Sequence, residues 1–213
     1  MRNRSPSKAY RKDGTVIMKY AGIIYDDTAA APGLSLSFYT QGCPIHCPGC
    51  HNQDMWDFEG GYEFTSEVRD KVIAKLNENG VLRNLCIIGG EPLCPQNAHM
   101  TELLCGFARV EYPDIKIYVW TGYTLEELCE REQNVDTPDG KRIHNILECL
   151  DVLIANPFDI SKRDITLELR GSSNQEIYKF VTEDEFADGG KQFGFERPNT
   201  NYPYVIKGEK FKI

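Results

Sequence analysis

The chain has 213 residues, of which 41% are hydrophobic and 26% are charged, a balance that predicts one domain with a packed core. Its formal net charge of −8 argues against a general binder of nucleic acid or of anionic membranes. No run of about 18 apolar residues and no apolar segment of a signal peptide is present, so we expect a cytoplasmic protein without a membrane span.

The first part of the chain is predicted to form a tail followed by two strands. Residues 1–13 are basic and polar and are expected to be a flexible tail. Residues 16–24 are a candidate edge strand, and residues 26–33 predict a turn region. Residues 34–40 alternate apolar and polar side chains, which is typical of a strand. This second strand leads directly into a loop that contains three cysteines.

The loop contains Cys43, Cys47 and Cys50 in a C-x3-C-x2-C pattern, and its prolines and glycines prevent a strand or a helix from continuing through it. Clustered thiolates are soft ligands that select zinc or an iron–sulfur cluster. A zinc knuckle would need His46 or His51 as its fourth ligand. A cubane held by three cysteines would instead leave one iron open to a substrate.

Helices and buried strands are predicted to alternate through the following residues. Thr65 or Ser66 caps a helix that runs to about Asn79 and is ended by Gly80. The later elements are a strand at 85–88, a helix at 98–110, a strand at 115–120, a short helix after the capping box of Thr124 and Glu127, a loop at 133–141, a helix at 143–150 and a strand at 151–155. About four or five such units predict a parallel α/β fold with too few strands for a closed barrel of eight.

Several other residues invite a functional interpretation but are better explained by packing. The five remaining cysteines are scattered singly within apolar patterns, which predicts reduced and partly buried thiols: Cys86, Cys94, Cys105, Cys129 and Cys149. Trp120 and Tyr123 follow a buried strand, where aromatic residues usually belong to the core. The three histidines at 46, 99 and 144 are expected to be ordinary polar residues.

A second motif, Gly89-Gly90-Glu91-Pro92, follows the buried strand at 85–88. Two glycines allow a ligand to approach the backbone closely, because no side chain stands in the way. Glu91 is suited to pair with a ligand ammonium group. Taken alone, the motif is equally well explained as a plain strand-to-helix turn.

Together, the cysteine loop and this motif resemble those of radical S-adenosylmethionine enzymes. In that family three cysteines hold a 4Fe-4S cluster, the methionine part of S-adenosylmethionine chelates the fourth iron, and a G-G-E-P-like motif holds its amino group. The resemblance implies one cluster per chain with three ligands, Cys43, Cys47 and Cys50. It also implies S-adenosylmethionine contacts from Gly49, Cys50, His51, Gly89, Gly90 and Glu91. It implies no catalytic residue beyond the cluster ligands.

Four sequence blocks narrow the resemblance to the activating proteins of anaerobic ribonucleotide reductases. They are Q-G-C-P-I-H-C-P-G-C-H-N at 41–52, G-G-E-P-L with P-Q-N at 89–97, W-T-G-Y at 120–123 and R-G-S-S-N-Q at 170–175. The resemblance implies a 5′-deoxyadenosyl radical that installs a glycyl radical on anaerobic ribonucleoside-triphosphate reductase. It further implies a low-potential electron donor such as a flavodoxin or ferredoxin.

The resemblance also implies a fold, namely a partial, open parallel (β/α) barrel of the radical S-adenosylmethionine type. We expect this domain at residues 14–175, followed by a C-terminal extension at 176–213 that packs on it. The extension has no clear counterpart in compact members, but its aromatic residues argue against a disordered tail.

The chain departs from the family at two places. His51 stands where the family often has tyrosine, and Ala155-Asn156 stands where it usually has Asp-Gly. Two alternatives within the same chemistry are an activator of another glycyl-radical enzyme and a radical enzyme that acts on a small substrate. An alternative from a different class is a non-catalytic adaptor that binds an iron–sulfur cluster or zinc.

Overall fold

A computed structural model describes residues 17–181, 194–195 and 204–208 of the chain. The strands are β1 Lys19–Asp27, β2 Ser35–Thr40, β3 Tyr62–Glu63, β4 Asn84–Gly89, β5 Ile117–Trp120, β6 Val152–Ala155, β7 Glu176–Val181, β8 Gly194–Phe195 and β9 Tyr204–Gly208. The helices are α1 Ser66–Leu76, α2 Ala98–Glu111, α3 Leu125–Glu132 and α4 Pro138–Cys149. The expected tail at 1–13 lies outside the described residues.

One mixed sheet with a parallel centre organises the described residues, in the order β3-β1-β2-β4-β5-β6-β7-β9-β8. The pairs β2–β4, β4–β5 and β5–β6 are parallel, and the pairs towards either edge are antiparallel. The predicted α/β class is therefore confirmed. Three helical crossovers connect the parallel strands, instead of the predicted four or five units, because α3 and α4 share one crossover and β7 turns antiparallel.

The predicted extension begins inside this sheet. Strand β7 pairs with β6 over residues 176–179 and, on its other side, with β9 over residues 177–181. Tyr178 and Phe180 of β7 are buried in the main core. Residues 176–181 thus continue the sheet, while the domain boundary at 175 stays a prediction.

Local capping explains where the helices begin and end. The Thr65 hydroxyl accepts a hydrogen bond from the Val68 nitrogen at the start of α1, as predicted. That helix ends at Leu76, earlier than predicted, and a 3-10 turn follows in which Asn79 has a φ of 60°. The predicted capping box at the start of α3 is confirmed.

Two predicted boundaries were wrong for local reasons. The predicted loop at 133–141 contains the start of α4, because Thr137 caps that helix and Pro138 is compatible with its first turn. The first strand runs on to Asp27, through the start of the predicted turn, because Asp27 still pairs with Ser35 of β2.

The two faces of the sheet have different surroundings. Alternate residues of β2, Leu36 and Phe38, join Leu104 of α2 and Ile146 of α4 in one buried core, so the helices cover this face. The opposite face has a smaller cluster formed by Val152, Ile154 and Ile177, with Tyr118, Trp120 and Leu169 packed against it. None of the helices in the described part of the chain is long and apolar enough to cross a membrane.

The parallel strands place four connecting segments at one edge of the sheet. Because β2, β4, β5 and β6 run in the same direction, their carboxyl ends meet there. The cysteine loop follows β2, the Gly-Gly-Glu-Pro motif overlaps the end of β4, and the segments after β5 and β6 lie beside them. The fold therefore brings residues far apart in sequence to one place.

At the opposite edge, Asp151 joins a helix to two strands. Its Oδ2 accepts hydrogen bonds from Arg109 Nη2 at 2.7 Å and from the Ile117 nitrogen at 2.9 Å, and its Oδ1 accepts one from Lys116 Nζ at 3.0 Å. Since its side chain is only 15% exposed, these donors lose their partner in a poorly hydrated place if the carboxylate is removed.

We therefore expect Asp151→Ala to lower the free energy of unfolding by about 2 kcal/mol. Urea unfolding followed by circular dichroism measures this change. Asp114→Ala is the control, because Asp114 is exposed near the same edge and its replacement should stay within about 0.5 kcal/mol of wild type. Equal stabilities of the two variants would contradict the role given to Asp151.

Candidate functional site

A cavity of about 510 Å³ lies at the carboxyl edge of the parallel strands. Most of the residues predicted to form the site line it, namely Cys43, Cys47, Cys50, His51, Gly89, Gly90 and Glu91. Gly49 does not line the cavity; it has a φ of 76°, and its backbone lies against the side chain of Ile160. The fold thus gathers two motifs that are about 40 residues apart in the sequence.

The base of the cysteine loop is fixed by backbone hydrogen bonds to the segment that follows it. The Gly42 nitrogen donates to the Met55 carbonyl at 2.8 Å, and the Cys43 nitrogen donates to the Trp56 carbonyl at 3.2 Å. The side chain of Gln41 donates to the Asp57 carbonyl at 2.7 Å. These bonds hold the loop in a closed turn, so the three thiols depend on a backbone that is already fixed.

Burial makes two of the thiols reluctant to ionise without a cation. It raises the pKa of Cys43 and of Cys47, and the neighbouring thiols raise both values further. Backbone N–H groups act in the opposite direction, from Ile45 and His46 on Cys43 and from Phe158 on Cys47. The Cys50 sulfur accepts a hydrogen bond from the Asn52 nitrogen at 3.4 Å. Iron at this site would offset the cost of burying the thiolates, so the thiols fit a cluster.

The two histidines of the loop contact aromatic rings. The His46 ring stacks on Trp56 with centroids 4.6 Å apart, and the His51 ring lies 6.1 Å from that of Phe158. Within the ranges that the structure describes, no three Cys, His, Asp or Glu side chains are grouped as ligands of one metal ion. A cubane does not need such a group, because each thiolate binds a different iron.

The glycine pair is required by the contact between two loops. Gly89 has a φ of 106°, and a Cβ there would lie 2.9 Å from the Thr40 nitrogen. A Cβ on Gly90 would overlap with the carbonyl oxygen of Gly42. The Gly90 nitrogen donates to the Thr40 carbonyl and the Glu91 nitrogen to the Gly42 carbonyl, each at 2.8 Å. The backbone after β4 is therefore pressed directly against the cysteine loop.

Glu91 is a buried carboxylate, with 1% of the residue exposed. Its Oε1 accepts hydrogen bonds from the Leu93 nitrogen at 2.9 Å and the Thr121 hydroxyl at 2.7 Å, and its Oε2 accepts one from the Gly122 nitrogen at 2.7 Å. Burial raises the pKa of this carboxyl, although the three hydrogen bonds favour its ionised form. The side chain ties the end of β4 to the end of β5 and still borders the cavity.

Part of the cavity wall comes from segments that were not assigned to the site from the sequence. Phe158, Leu169, Arg170 and Gln175 line the cavity, together with Trp120. The Trp120 indole donates to the Leu169 carbonyl at 2.6 Å, so this residue packs as predicted and also borders the site. The R-G-S-S-N-Q block was the available signal for Arg170 and Gln175.

Asn156 stands at the position where the resemblance led us to expect glycine. It has a φ of 79°, in the left-handed region that favours glycine and that asparagine tolerates better than most residues. Asn156 therefore has a glycine-like backbone angle, and Ala155 before it is fully buried. Asn156 lines the cavity, and its Nδ2 donates to the Asn174 carbonyl at 2.9 Å.

Residues expected to play no part in the site have ordinary surroundings. Tyr123 packs against the main core. The ring nitrogens of His99 and His144 lie 3.1 Å from Glu102 and 3.2 Å from Glu132, respectively. The five scattered cysteines are free thiols that are buried or half-buried, which confirms their prediction.

The site and the sheet define a class of iron–sulfur protein. The family model of a 4Fe-4S single cluster domain matches residues 29–178. An anaerobic ribonucleoside-triphosphate reductase-activating protein of Vibrio cholerae is 36% identical over 73% of this chain and 94% of its own length. Proteins of the same name are 33% identical in Escherichia coli, over 71% of this chain and 92% of theirs, and 28% identical in phage T4, over 76% and 94%. The chain belongs to the family of anaerobic ribonucleoside-triphosphate reductase-activating proteins.

The close contact between the two loops predicts that a methyl group added at Gly90 lowers both stability and iron uptake. Gly90→Ala should lower the free energy of unfolding by about 1–3 kcal/mol and should also reduce iron uptake, because the methyl group displaces the Gly42 carbonyl at the base of the cysteine loop. Urea unfolding and iron content after anaerobic reconstitution test this.

Gly106→Ala serves as the control, since a Cβ at Gly106 has nothing within 4 Å and alanine favours the helix. We expect it to match or exceed wild-type stability. A Gly90→Ala variant with wild-type stability and iron content would show that the methyl group fits without distorting the base of the cysteine loop.

Proposed function

We propose that this chain is a radical S-adenosylmethionine activating enzyme that installs a glycyl radical on anaerobic ribonucleoside-triphosphate reductase. The observation that carries the proposal is the shared cavity, in which three thiols and the Gly-Gly-Glu motif meet at the carboxyl edge of parallel strands. The similarity to activating proteins of anaerobic ribonucleoside-triphosphate reductases supports the choice of reductase. The arrangement of β2, β4, β5 and β6 supports a partial, open barrel of the radical S-adenosylmethionine type.

Cys43, Cys47 and Cys50 would hold the cluster, with one iron left to S-adenosylmethionine. The backbone N–H groups that lower the thiol pKa values would also tune the cluster, because hydrogen bonds to sulfur shift its potential. The electron would come from a low-potential donor such as a flavodoxin or ferredoxin, and a cytoplasmic location stays a prediction.

The charges on the cavity wall support S-adenosylmethionine as the ligand. Among the residues that line the cavity, Glu91 provides a carboxylate and Arg170 a guanidinium, which complement the ammonium and carboxylate groups of its methionine part. Within the described part of the chain, Oε2 of Glu91 accepts one hydrogen bond, from the Gly122 nitrogen, so it keeps a lone pair for an ammonium group. A volume of about 510 Å³ is within the range of small-molecule and cofactor sites.

When bound, the cluster and S-adenosylmethionine supply a 5′-deoxyadenosyl radical that removes a hydrogen atom from a glycine of the reductase. This chain would contribute by positioning S-adenosylmethionine next to the cluster and by excluding water from the cavity. Gly89, Gly90 and His51 would contact S-adenosylmethionine, and Phe158 and Trp120 would help to exclude water as further residues of the cavity wall. Gly49, which lies outside the cavity, would contribute through the turn that presents Cys50.

The ligand assignment predicts that replacing a cysteine with alanine abolishes the cluster only at the three ligand positions. Cys47→Ala should abolish the site-differentiated cluster, because two thiolates cannot hold it. Cys149→Ala should keep about four irons per chain, since Cys149 lies at the end of α4, away from the cavity. Iron and sulfide content and the absorption spectrum under anaerobic conditions measure this, and full activity of Cys47→Ala would refute the assignment.

The function itself is tested by electron paramagnetic resonance. Anaerobic incubation with reductant, S-adenosylmethionine and the reductase of the same organism should yield a glycyl radical that stays with the reductase after separation. Without the reductase, 5′-deoxyadenosine should form only slowly, because no glycine is positioned to react.

Other outcomes would identify the alternatives. Multiple turnover of a small molecule without any reductase would indicate a small-substrate radical enzyme. A radical on another glycyl-radical protein, with none on the reductase, would change the partner. A stable cluster that neither binds nor cleaves S-adenosylmethionine would indicate a non-catalytic adaptor.

A further inference from the structure

The side chain of Asn97 does not cap the helix that it precedes. It stands immediately before α2, where an asparagine commonly accepts a hydrogen bond from a backbone nitrogen of the first turn. No such bond is made, and the residue has helical backbone angles, with φ −101° and ψ −21°. It is nonetheless 2% exposed. A polar side chain buried so completely requires partners elsewhere.

Those partners are three carbonyl groups in two other segments. Asn97 Nδ2 donates to the Gln41 carbonyl at 3.0 Å, the Gly42 carbonyl at 3.1 Å and the Glu91 carbonyl at 3.0 Å. The orientation of the amide follows from this environment, because the alternative would place Oδ1 against three carbonyl oxygens. One amino group therefore serves both loops at once.

The two loops are the ones on which the proposed chemistry depends. Gln41 and Gly42 lead directly into Cys43, and Glu91 follows the glycine pair. Among the described residues, Gly42 makes one other hydrogen bond to the Glu91 loop. The Glu91 nitrogen donates to the Gly42 carbonyl at 2.8 Å. Asn97 thus reinforces the contact that sets the spacing between thiols and cofactor-binding backbone.

Each loop also has supports that do not involve Asn97. The cysteine loop is held by the bonds to Met55, Trp56 and Asp57, and the Glu91 side chain is held by residues after β5. Without Asn97, each loop should therefore keep its own shape, while their relative position is less fixed. Reactions that depend on positioning are sensitive to displacements of about 1 Å.

We propose that Asn97 is a positioning residue for the reaction, which fixes the cysteine loop relative to the Gly-Gly-Glu loop and so aligns S-adenosylmethionine with the cluster. This inference rests on the proposed function. Replacing a cysteine ligand would change cluster assembly and S-adenosylmethionine binding together, whereas replacing Asn97 should separate these two properties. Replacing Asn97 should leave cluster assembly largely intact and weaken the response of the cluster to S-adenosylmethionine.

The test compares Asn97→Ala and Asn97→Asp with wild type. Iron content after anaerobic reconstitution should stay close to wild type in both variants. The dissociation constant of S-adenosylmethionine, from titrations that follow the electron paramagnetic resonance signal of the reduced cluster, should rise at least about tenfold in Asn97→Ala. It should rise further in Asn97→Asp, because a carboxylate faces the three carbonyl oxygens.

The order of the two variants distinguishes positioning from packing. Aspartate fills the volume of asparagine, so a residue needed only for packing would tolerate aspartate better than alanine. Asn145→Ala is the matched control. The Asn145 amide donates to Glu102 Oε1 at 2.6 Å between α4 and α2, and neither residue lines the cavity. This control should bind S-adenosylmethionine as wild type does, even where its thermal stability falls.

Three outcomes would overturn the proposal. They are wild-type binding in both Asn97 variants, tighter binding in Asn97→Asp than in Asn97→Ala, and loss of iron uptake in both, which would make Asn97 a requirement for assembly. A wild-type protein whose cluster ignores S-adenosylmethionine would overturn the proposed function as well. A responsive wild type with equally responsive variants would overturn only the inference on Asn97.

Discussion

The hydrogen bond from the Glu91 nitrogen to the Gly42 carbonyl is the contact on which the site depends. Strands β2 and β4 pair in parallel up to Thr40 and Gly89, so the segments that leave them start at the same level. They can touch only if neither has a side chain between them, and Gly90 meets that condition. The cysteine loop thereby acquires a fixed position relative to the sheet, although it contains no regular structure of its own beyond turns.

Electrostatics makes this arrangement expensive unless cations are bound. Burial raises the pKa values of Cys43 and Cys47. It also raises the pKa of the nearby Glu91 carboxyl. Backbone N–H groups reduce this cost but do not remove it. A cluster with an open iron and a ligand with an ammonium group would supply positive charge at both places. The same burial that disfavours the thiolates in isolation therefore favours a loaded site.

Most of the residues that meet at the cavity were predictable from the sequence because their motifs depend on short spacings. C-x3-C-x2-C and the glycine pair specify turns and donor atoms within a few residues, and the parallel α/β class follows from alternating apolar segments. The part of the cavity wall that follows β6 was not predictable in this way. Phe158 reaches the site only because β6 lies beside β5, and its backbone nitrogen contacts Cys47 across more than a hundred residues. The start of α4 was missed because Pro138 and Gly140 resemble a loop, while the Thr137 cap decides the structure.

The segment after β6 is held by a left-handed backbone angle at Asn156 and by two amide side chains. Asn156 donates to the Asn174 carbonyl, and Asn174 donates to the Pro157 carbonyl. Among the residues lining the cavity, Glu91 provides the carboxylate and Arg170 provides a guanidinium. A bound S-adenosylmethionine would therefore need Glu91 to remain in place, and the loop contact that positions Glu91 also positions the cysteine loop.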